Sequence, residues 1–159
     1  MSATQTHPTE IASSGPAAVA MAFIQAYQRA DDATLHAMSS ADATARYAPT
    51  WNSGHTPIAA AITAWAKYPA AFADFAMSIT TVVEDIAGRR AVVTTLNSGV
   101  HINDVDGITA RDRTLGCTHL FAIELDANGL INYVEVWCDQ LTLFQQLGFP
   151  AEFRAEVTS

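Results

Sequence analysis

The chain has 159 residues, half of them hydrophobic, and its sixteen acidic and eight basic side chains give a formal net charge of −8. This length supports one hydrophobic core and is short for two domains. Nucleic acids and anionic membranes are bound through clustered Lys and Arg, so the negative charge disfavours both as partners. The sequence shows neither a signal-peptide pattern nor an apolar run long enough to span a bilayer. We therefore expect a cytoplasmic protein.

The first half of the chain predicts three helices, which follow a disordered tail over residues 1–13. In each helix a capping residue or a proline precedes apolar residues at helical spacing. The first helix has Ser14 or Gly15 with Pro16 as its start signal and Val19, Phe23 and Tyr27 as its apolar residues. The second has Asp31 or Asp32, followed by Leu35 and Met38. The third has Thr56 with Pro57, followed by Ile58, Ile62 and Trp65. Pro69 is expected to end the third helix. A short strand over residues 43–49 is predicted between the second and third helices.

The second half of the chain predicts four sequential antiparallel strands, because β-branched runs alternate with turns that contain glycine. The runs cover residues 75–86, 89–102, 115–125 and 130–139. Helices followed by a meander of strands are typical of an α+β fold, with the helices gathered on one face of a curved antiparallel sheet. We predict a single domain over residues 14–150 and a C-terminal tail over residues 151–159.

The turn "DANG" predicts the register of the last hairpin. Asp126 and Gly129 suit a three-residue loop with a bulge, in which Asp126 opposes Leu130. A two-residue Asn-Gly turn would shift the pairing by one residue. Under the three-residue loop, one face carries Cys117, His119, Phe121, Tyr133, Glu135, Trp137 and Asp139. Such a mixture of ionisable and aromatic side chains is typical of a ligand pocket. Cys138 would lie on the other face, so no disulfide between Cys117 and Cys138 is expected.

Three residues are candidate catalysts. Asp139, at a strand end beside Trp137, would be partly desolvated, which raises the pKa of a carboxyl group and suits it to proton transfer. Alternatively, Asp139 only caps the helix that begins near Gln140. His119 could transfer a second proton or orient a substrate oxygen. His101 ends its strand before a long loop, where functional residues concentrate. Both histidines could instead be structural.

Other residues are candidates for substrate binding. Glu135 faces the same predicted pocket as Asp139. The aromatic side chains that could line the cavity, or simply form the core, are Tyr27, Tyr47, Trp51, Trp65, Phe121, Tyr133 and Trp137. The sequence has no phosphate-binding loop, dinucleotide fingerprint, nucleophile elbow or closely spaced zinc-ligand pair. We therefore expect no metal and no other cofactor, which leaves acid/base chemistry or plain binding.

Two segments, "AFADFAMSITTVVEDIAGRRAVVTTLNSGVH" and "NGLINYVEVWCDQLTLFQQLG", resemble the SnoaL-like polyketide cyclase branch of the nuclear-transport-factor-2-like superfamily. The family pattern includes Phe-x-Asp-Phe, Gly-x-His, Glu-x-Trp and a closing Gln-Leu-Gly. The resemblance covers residues 19–148 and implies a cone-shaped α+β barrel around a deep apolar pocket, often as a homodimer. It also implies acid/base catalysis without a cofactor, with the acidic catalyst at Asp139 and the family histidine at His101.

These observations together predict a cofactor-independent isomerase, cyclase or lyase. Its substrate would be an apolar, oxygenated small molecule such as a polyketide or terpenoid intermediate. Asp139 would move the proton while His119 or His101 hydrogen-bonds to a substrate oxygen. Two alternatives stay open, since a fold does not determine a function. One is a non-catalytic small-molecule-binding or dimerisation module, and the other is a hydrolase in which Asp139 and Glu135 activate water.

Overall fold

A computed structural model describes residues 15–48 and 54–148. The helices are α1 (Pro16–Gln28), α2 (Asp32–Ala37), α3 (Ile58–Trp65), α4 (Lys67–Ala71) and α5 (Gln140–Leu147). The strands are β1 (Ser39–Tyr47), β2 (Thr56–Pro57), β3 (Phe72–Asp85), β4 (Arg90–His101), β5 (Thr114–Leu125) and β6 (Ile131–Cys138). The predicted tails over residues 1–13 and 151–159, and the candidate Trp51, lie outside the described residues.

The first two helices begin where the sequence predicts. Gly15 is the N-cap of α1 and Pro16 occupies its first position, where the missing N–H costs no helical hydrogen bond. Asp31 caps α2, and its carboxylate accepts a hydrogen bond from the Thr34 backbone N at 3.1 Å. α1 lies against β3 and β4 and buries its apolar face there. Both cap predictions are therefore confirmed.

The third helix differs from its prediction at both ends. Thr56 does not cap it, because Thr56–Pro57 forms a two-residue strand paired with β1, and Pro57 is the N-cap of α3. α3 ends at Trp65, and Pro69 lies inside the next short helix, α4. Pro69 is the third residue of α4. The first N–H groups of a helix have no intrahelical partner, so a proline is tolerated there.

Six strands form one open, curved sheet in the order β2-β1-β6-β5-β4-β3. The antiparallel meander of β3 to β6 is confirmed. β1 pairs with β6 in parallel, which makes the sheet mixed rather than wholly antiparallel. A parallel pair needs a long connection. Here that connection includes two helices and four strands, so local sequence signals could not reveal it.

The helices cover one face of the sheet and leave two buried clusters. The larger cluster lies between helices α1, α2 and α3 and the sheet, and includes Phe23, Phe121 and Val134. The smaller one includes Phe72, Leu115 and Leu147 near α5. Within the two described ranges, no helix is both long and apolar enough to cross a membrane.

Candidate functional site

A cavity of about 650 Å³ opens on the inner face of the sheet, and both buried clusters contribute to its wall. Small-molecule sites are typically clefts of roughly 300 to 1,000 Å³ with mostly apolar walls. The wall here is rich in aromatic rings, among them Tyr27, Trp65, Phe72, Phe75, Phe121 and Phe144. Both its size and its lining suit an apolar small molecule.

Two polar side chains reach the cavity from the middle of the sheet. His119 on β5 and Asn97 on β4 both line it and are diagonal neighbours across the two strands. The Thr95 hydroxyl donates to Asn97 Oδ1 at 2.7 Å. This buried hydrogen bond orients the amide and leaves Nδ2 available to donate to a ligand. The inner face thus offers one imidazole and one oriented amide donor.

A second polar group lines the cavity where the loop after β4 meets α4. Lys67 Nζ and the Tyr68 hydroxyl both donate hydrogen bonds to the Asp106 carboxylate. Burial opposes the ionisation of Asp106, but these two hydrogen bonds outweigh it and hold its pKa below the ordinary value. Burial first, and Asp106 second, raise the pKa of Tyr68, so its phenol keeps its proton. The two hydrogen bonds connect the loop that carries Asp106 to α4.

A third group joins β1, β5 and β6 beside the cavity. The Tyr47 hydroxyl lies 2.7 Å from Cys138 Sγ, and Tyr47 itself lines the cavity. His119 faces Cys138 across the β5–β6 pair. His119 Nδ1 lies 3.4 Å from the Cys117 carbonyl oxygen, and its ring stacks on Phe121 at 6.3 Å between centroids. This arrangement places two thiols, an imidazole and a phenol close together.

No family model matches the sequence, and neither does any curated protein. Solved structures do match. IdmH from Streptomyces antibioticus, provisionally named a polyketide cyclase, superposes with a TM-score of 0.71 and 19% identity over 84% of this chain and 99% of that chain. A protein from Jannaschia sp. CCS1, provisionally named a SnoaL-like polyketide cyclase, gives a TM-score of 0.74 and 12% identity over 93% of this chain and 99% of that chain.

A further protein, from Catenulispora acidiphila, has a ketosteroid isomerase-like fold and matches with a TM-score of 0.64 and 14% identity over 86% of this chain and 96% of that chain. This chain has the SnoaL-like polyketide cyclase fold. The resemblance to SnoaL-like proteins that the sequence shows is thereby confirmed at the level of the fold. Identities this low carry no substrate or catalytic residue from those proteins to this one.

Within this SnoaL-like fold the last hairpin follows the predicted turn but not the predicted register. Asp126 N donates to the Leu130 carbonyl oxygen at 2.8 Å and Gly129 is left-handed, as a three-residue loop requires. The pairing then slips by one residue between Ile131 and Tyr133. This β-bulge means that His119 opposes Cys138, and not Trp137 as predicted.

The bulge reverses the predicted faces of β6. Val134, Val136 and Cys138 share the inner face with His119, whereas Tyr133, Glu135 and Trp137 point away from the cavity, so their predicted place in the pocket is wrong. On the outer face, Trp137 is 49% exposed, Glu135 pairs with Arg46 at 3.2 Å, and the Tyr133 ring packs on His55. The alternation of apolar Val134 and Val136 around Glu135 was the sequence signal for this arrangement.

The same bulge brings Cys117 and Cys138 onto one face, so the prediction of opposite faces is wrong. Both cysteines are free thiols, as the sequence analysis expected. Cys117 is buried, whereas Cys138 is partly exposed.

Asp139 caps α5 and is not part of the cavity wall. Its carboxylate accepts hydrogen bonds from the Thr142 backbone N at 3.0 Å and from Thr142 Oγ1 at 2.6 Å. It is fully exposed, and these hydrogen bonds lower its pKa. The predicted desolvation and raised pKa are therefore wrong, because the end of β6 leaves the sheet into solvent. The capping alternative is the one that the structure shows.

The three predicted catalysts do not converge. His101 is fully buried and stacks on Phe72 at 5.0 Å between centroids, and neither of its ring nitrogens has a hydrogen-bond partner within the described ranges. It is not part of the cavity wall. Of the three, His119 alone lines the cavity. Among the predicted binding residues, those on the wall are Tyr27, Tyr47, Trp65 and Phe121.

Sequence reasoning missed five polar residues of the cavity wall, which are Asn97, Lys67, Tyr68, Asp106 and Gln140. Asp106 precedes Gly107 in one of the glycine-containing turns that separate the predicted strands. Its position in a long loop directly after a strand was a usable signal, because loops carry a large share of functional residues. Asn97 had a signal too, since an amide is uncommon among the inward residues of a strand.

Proposed function

We propose that this chain is a cofactor-independent acid/base enzyme that isomerises, cyclises or eliminates within an apolar, oxygenated small molecule. The observation that carries the proposal is His119 on the wall of an aromatic cavity of about 650 Å³, diagonal to an oriented Asn97 amide. The SnoaL-like fold, which the provisionally named polyketide cyclases share, supports the same class of chemistry.

The polar groups suit a carbonyl compound. His119 would remove a proton from the carbon beside a substrate carbonyl, and Asn97 Nδ2 would donate to the oxygen on which charge develops. A well-placed donor of this kind is worth roughly 3 kcal/mol in the transition state. The aromatic wall excludes water and thereby strengthens that hydrogen bond.

One enolate intermediate would account for all three reaction types. Return of the proton to a different carbon isomerises the substrate. Attack of the enolate carbon on a second carbonyl within the molecule closes a ring. Loss of a hydroxyl group from the neighbouring carbon is an elimination. In each case His119 carries the proton and Asn97 holds the oxygen, so the substrate decides the outcome.

Exchange of carbon-bound protons tests this proposal without knowledge of the natural substrate. A panel of bicyclic and tricyclic ketones, beginning with 2-tetralone, is incubated with the protein in deuterated water and followed by NMR. We expect protein-dependent exchange next to the carbonyl, and a loss of roughly 100- to 10,000-fold in His119→Gln. His55→Gln is the matched control because His55 is exposed and lies outside the cavity. Equal exchange by the parent protein and His119→Gln would contradict the role of His119.

Binding without turnover is a second candidate, and the position of Asp139 favours it. The sequence-based prediction gave Asp139 the role of catalyst, yet its carboxylate caps α5 outside the cavity. Trp65 lines the cavity, so a variant in which Trp51 and Trp137 are replaced by Phe reports ligand binding through Trp65 fluorescence. Ketones that change this fluorescence but exchange no protons would favour a binding protein.

The hydrolase alternative loses its basis, because Glu135 pairs with Arg46 away from the cavity.

A further inference from the structure

The thiol cluster, defined as Cys117, Cys138, His119 and Tyr47, lies beside the cavity and has no role in the acid/base mechanism beyond that of His119. It exists because the bulge in β6 places Cys138 on the inner face, opposite His119. Cys138 is partly exposed, and its neighbours Tyr47, His119, Val136 and Gln140 all line the cavity. Cys138 is not itself a wall residue, but it contacts Tyr47 and lies opposite His119, both of which are.

The Tyr47 hydroxyl shares a hydrogen bond with Cys138. The hydroxyl oxygen lies 2.7 Å from Sγ, and either atom could hold the proton in such a contact. Burial raises the pKa of Tyr47, and the bond to Cys138 raises it further, so the phenol keeps its proton. A thiolate at Cys138 can only accept this hydrogen bond, so the contact lowers the pKa of Cys138 and favours its ionised form.

Cys117 supplies another donor. Its single S–H proton can go to the Asp139 carbonyl oxygen, 3.5 Å away, to the Thr118 carbonyl oxygen, 3.6 Å away, or to Cys138 Sγ. A hydrogen bond to an ionised acceptor is the strongest of these, so the proton moves to Cys138 once that sulfur is charged. The bond to Cys138 and burial both raise the pKa of Cys117, which remains a thiol.

The hydrogen bond from Cys117, followed by those from His119 and Tyr47, outweighs the burial of Cys138 and lowers its pKa to about 5. An ordinary cysteine has a pKa near 8.5 and is only a few per cent ionised at neutral pH. The geometry therefore separates the two thiols into a buried donor, Cys117, and a partly exposed thiolate, Cys138.

We propose that Cys138 is a nucleophile that adds reversibly to conjugated enones in the cavity, with His119 carrying the proton. The Cys138 thiolate bonds to the β-carbon of the enone as the C=C π bond breaks, and the electron pair moves to the carbonyl oxygen. The α-carbon then takes a proton that His119 delivers from solvent and that replaces the one lost when the Cys138 thiol ionised. The net change is addition of S–H across the double bond, and the reverse reaction restores the enone.

Reversal has a chemical consequence. The former double bond is a single bond in the adduct and can rotate before the sulfur leaves. The cluster would thus interconvert the cis and trans forms of an enone, which is a reaction distinct from carbon-acid exchange. Thiol addition needs the cavity of the proposed enzyme but not its acid/base turnover. Alkylation of Cys138 without any substrate therefore tests the thiolate separately from the proposed function.

The pH profile of alkylation is the first test. The reduced full chain is treated with iodoacetamide between about pH 4 and pH 9, and each labelled cysteine is identified by mass spectrometry. The pH profile is the deciding measurement rather than the absolute rate, because a low-pKa thiolate is more abundant but less nucleophilic. We expect Cys138 to be labelled at a rate that no longer rises above about pH 6, with Cys117 unlabelled.

Tyr47→Phe should move the midpoint of this profile to higher pH, because it removes one donor to the sulfur. Tyr133→Phe is the matched control, since Tyr133 lies on the outer face of the same sheet. A Cys138 rate that still climbs between about pH 7 and pH 9, as for an ordinary thiol, would overturn the proposal. So would labelling of Cys117 in place of Cys138 in the folded protein.

Adduct formation with an enone is the second test. The aromatic enone 4-phenyl-3-buten-2-one is the probe, and intact mass reports the adduct. We expect a single adduct in the parent protein, none in Cys138→Ser, and a rate at least tenfold lower in His119→Gln but unchanged in His55→Gln. Circular dichroism checks that each variant is folded. An adduct that persists in folded Cys138→Ser, or an unchanged rate in His119→Gln, would refute the assignment.

Discussion

Replacing Val134 by Thr tests the register of β6, because the two side chains have nearly the same shape and differ by one hydroxyl group. Val134 is 0% exposed and belongs to the larger buried cluster. A hydroxyl buried without a hydrogen-bond partner costs about 1–3 kcal/mol in proteins. Since 1.4 kcal/mol is a factor of ten, we expect the folding equilibrium constant to fall roughly 5- to 150-fold.

The measurement is urea unfolding followed by circular dichroism, in which the midpoint should fall while the slope m stays the same. Val83→Thr is the matched control, because Val83 also lies in a strand but is 61% exposed. Its effect should stay within about 0.5 kcal/mol.

The outcome decides between two registers. If the pairing ran from the Asp126–Gly129 turn without a bulge, Val134 would face solvent and Val134→Thr would resemble Val83→Thr. Equal effects of the two variants would therefore refute the bulge between Ile131 and Tyr133. They would also remove Cys138 from the inner face and with it the basis of the thiol cluster.

Three further predictions concern single side chains. Asp139→Ala should lower the urea midpoint while Asp139→Asn largely preserves it, because Asn retains the capping oxygen. The pKa of Asp106 is lowered in the folded chain, so its contribution to stability is present above about pH 4 and is lost as the pH falls below that value; Asp106→Asn should weaken this dependence in unfolding measured against pH. Gly99→Ala should destabilise by about 1–3 kcal/mol in urea, because the added Cβ would lie 2.9 Å from Phe72 Cβ. Gly116→Ala, with no atom within 4 Å of its added Cβ, is the control and should be nearly neutral.

The sequence alone was enough for the features that depend on neighbouring residues. The start of α1 at Pro16, the Asp31 cap of α2 and the Asp126–Gly129 turn each follow from a few adjacent side chains and their backbone preferences. The four long strands and the α+β class follow from residue type and order. The likeness to SnoaL-like proteins also lay in local motifs, and the superposed structures confirm that fold.

The candidate site depended on contacts between distant segments. Asp106 contacts Lys67 and Tyr68 from another part of the chain, and β1 pairs with β6 although four strands lie between them in the sequence. No short pattern encodes either contact, since each is stabilised by packing across the folded sheet.

In the last hairpin, a feature set by neighbouring residues lies directly beside one set by distant contacts. The turn at Asp126 was determined locally, and it was predicted correctly from the sequence. A slip of one residue beyond it exchanged Trp137 for Cys138 on the cavity face. Because strand side chains alternate between faces, the sequence determined which residues alternate, whereas only the burial of Val134 and Val136 in the core decided which set faces inward.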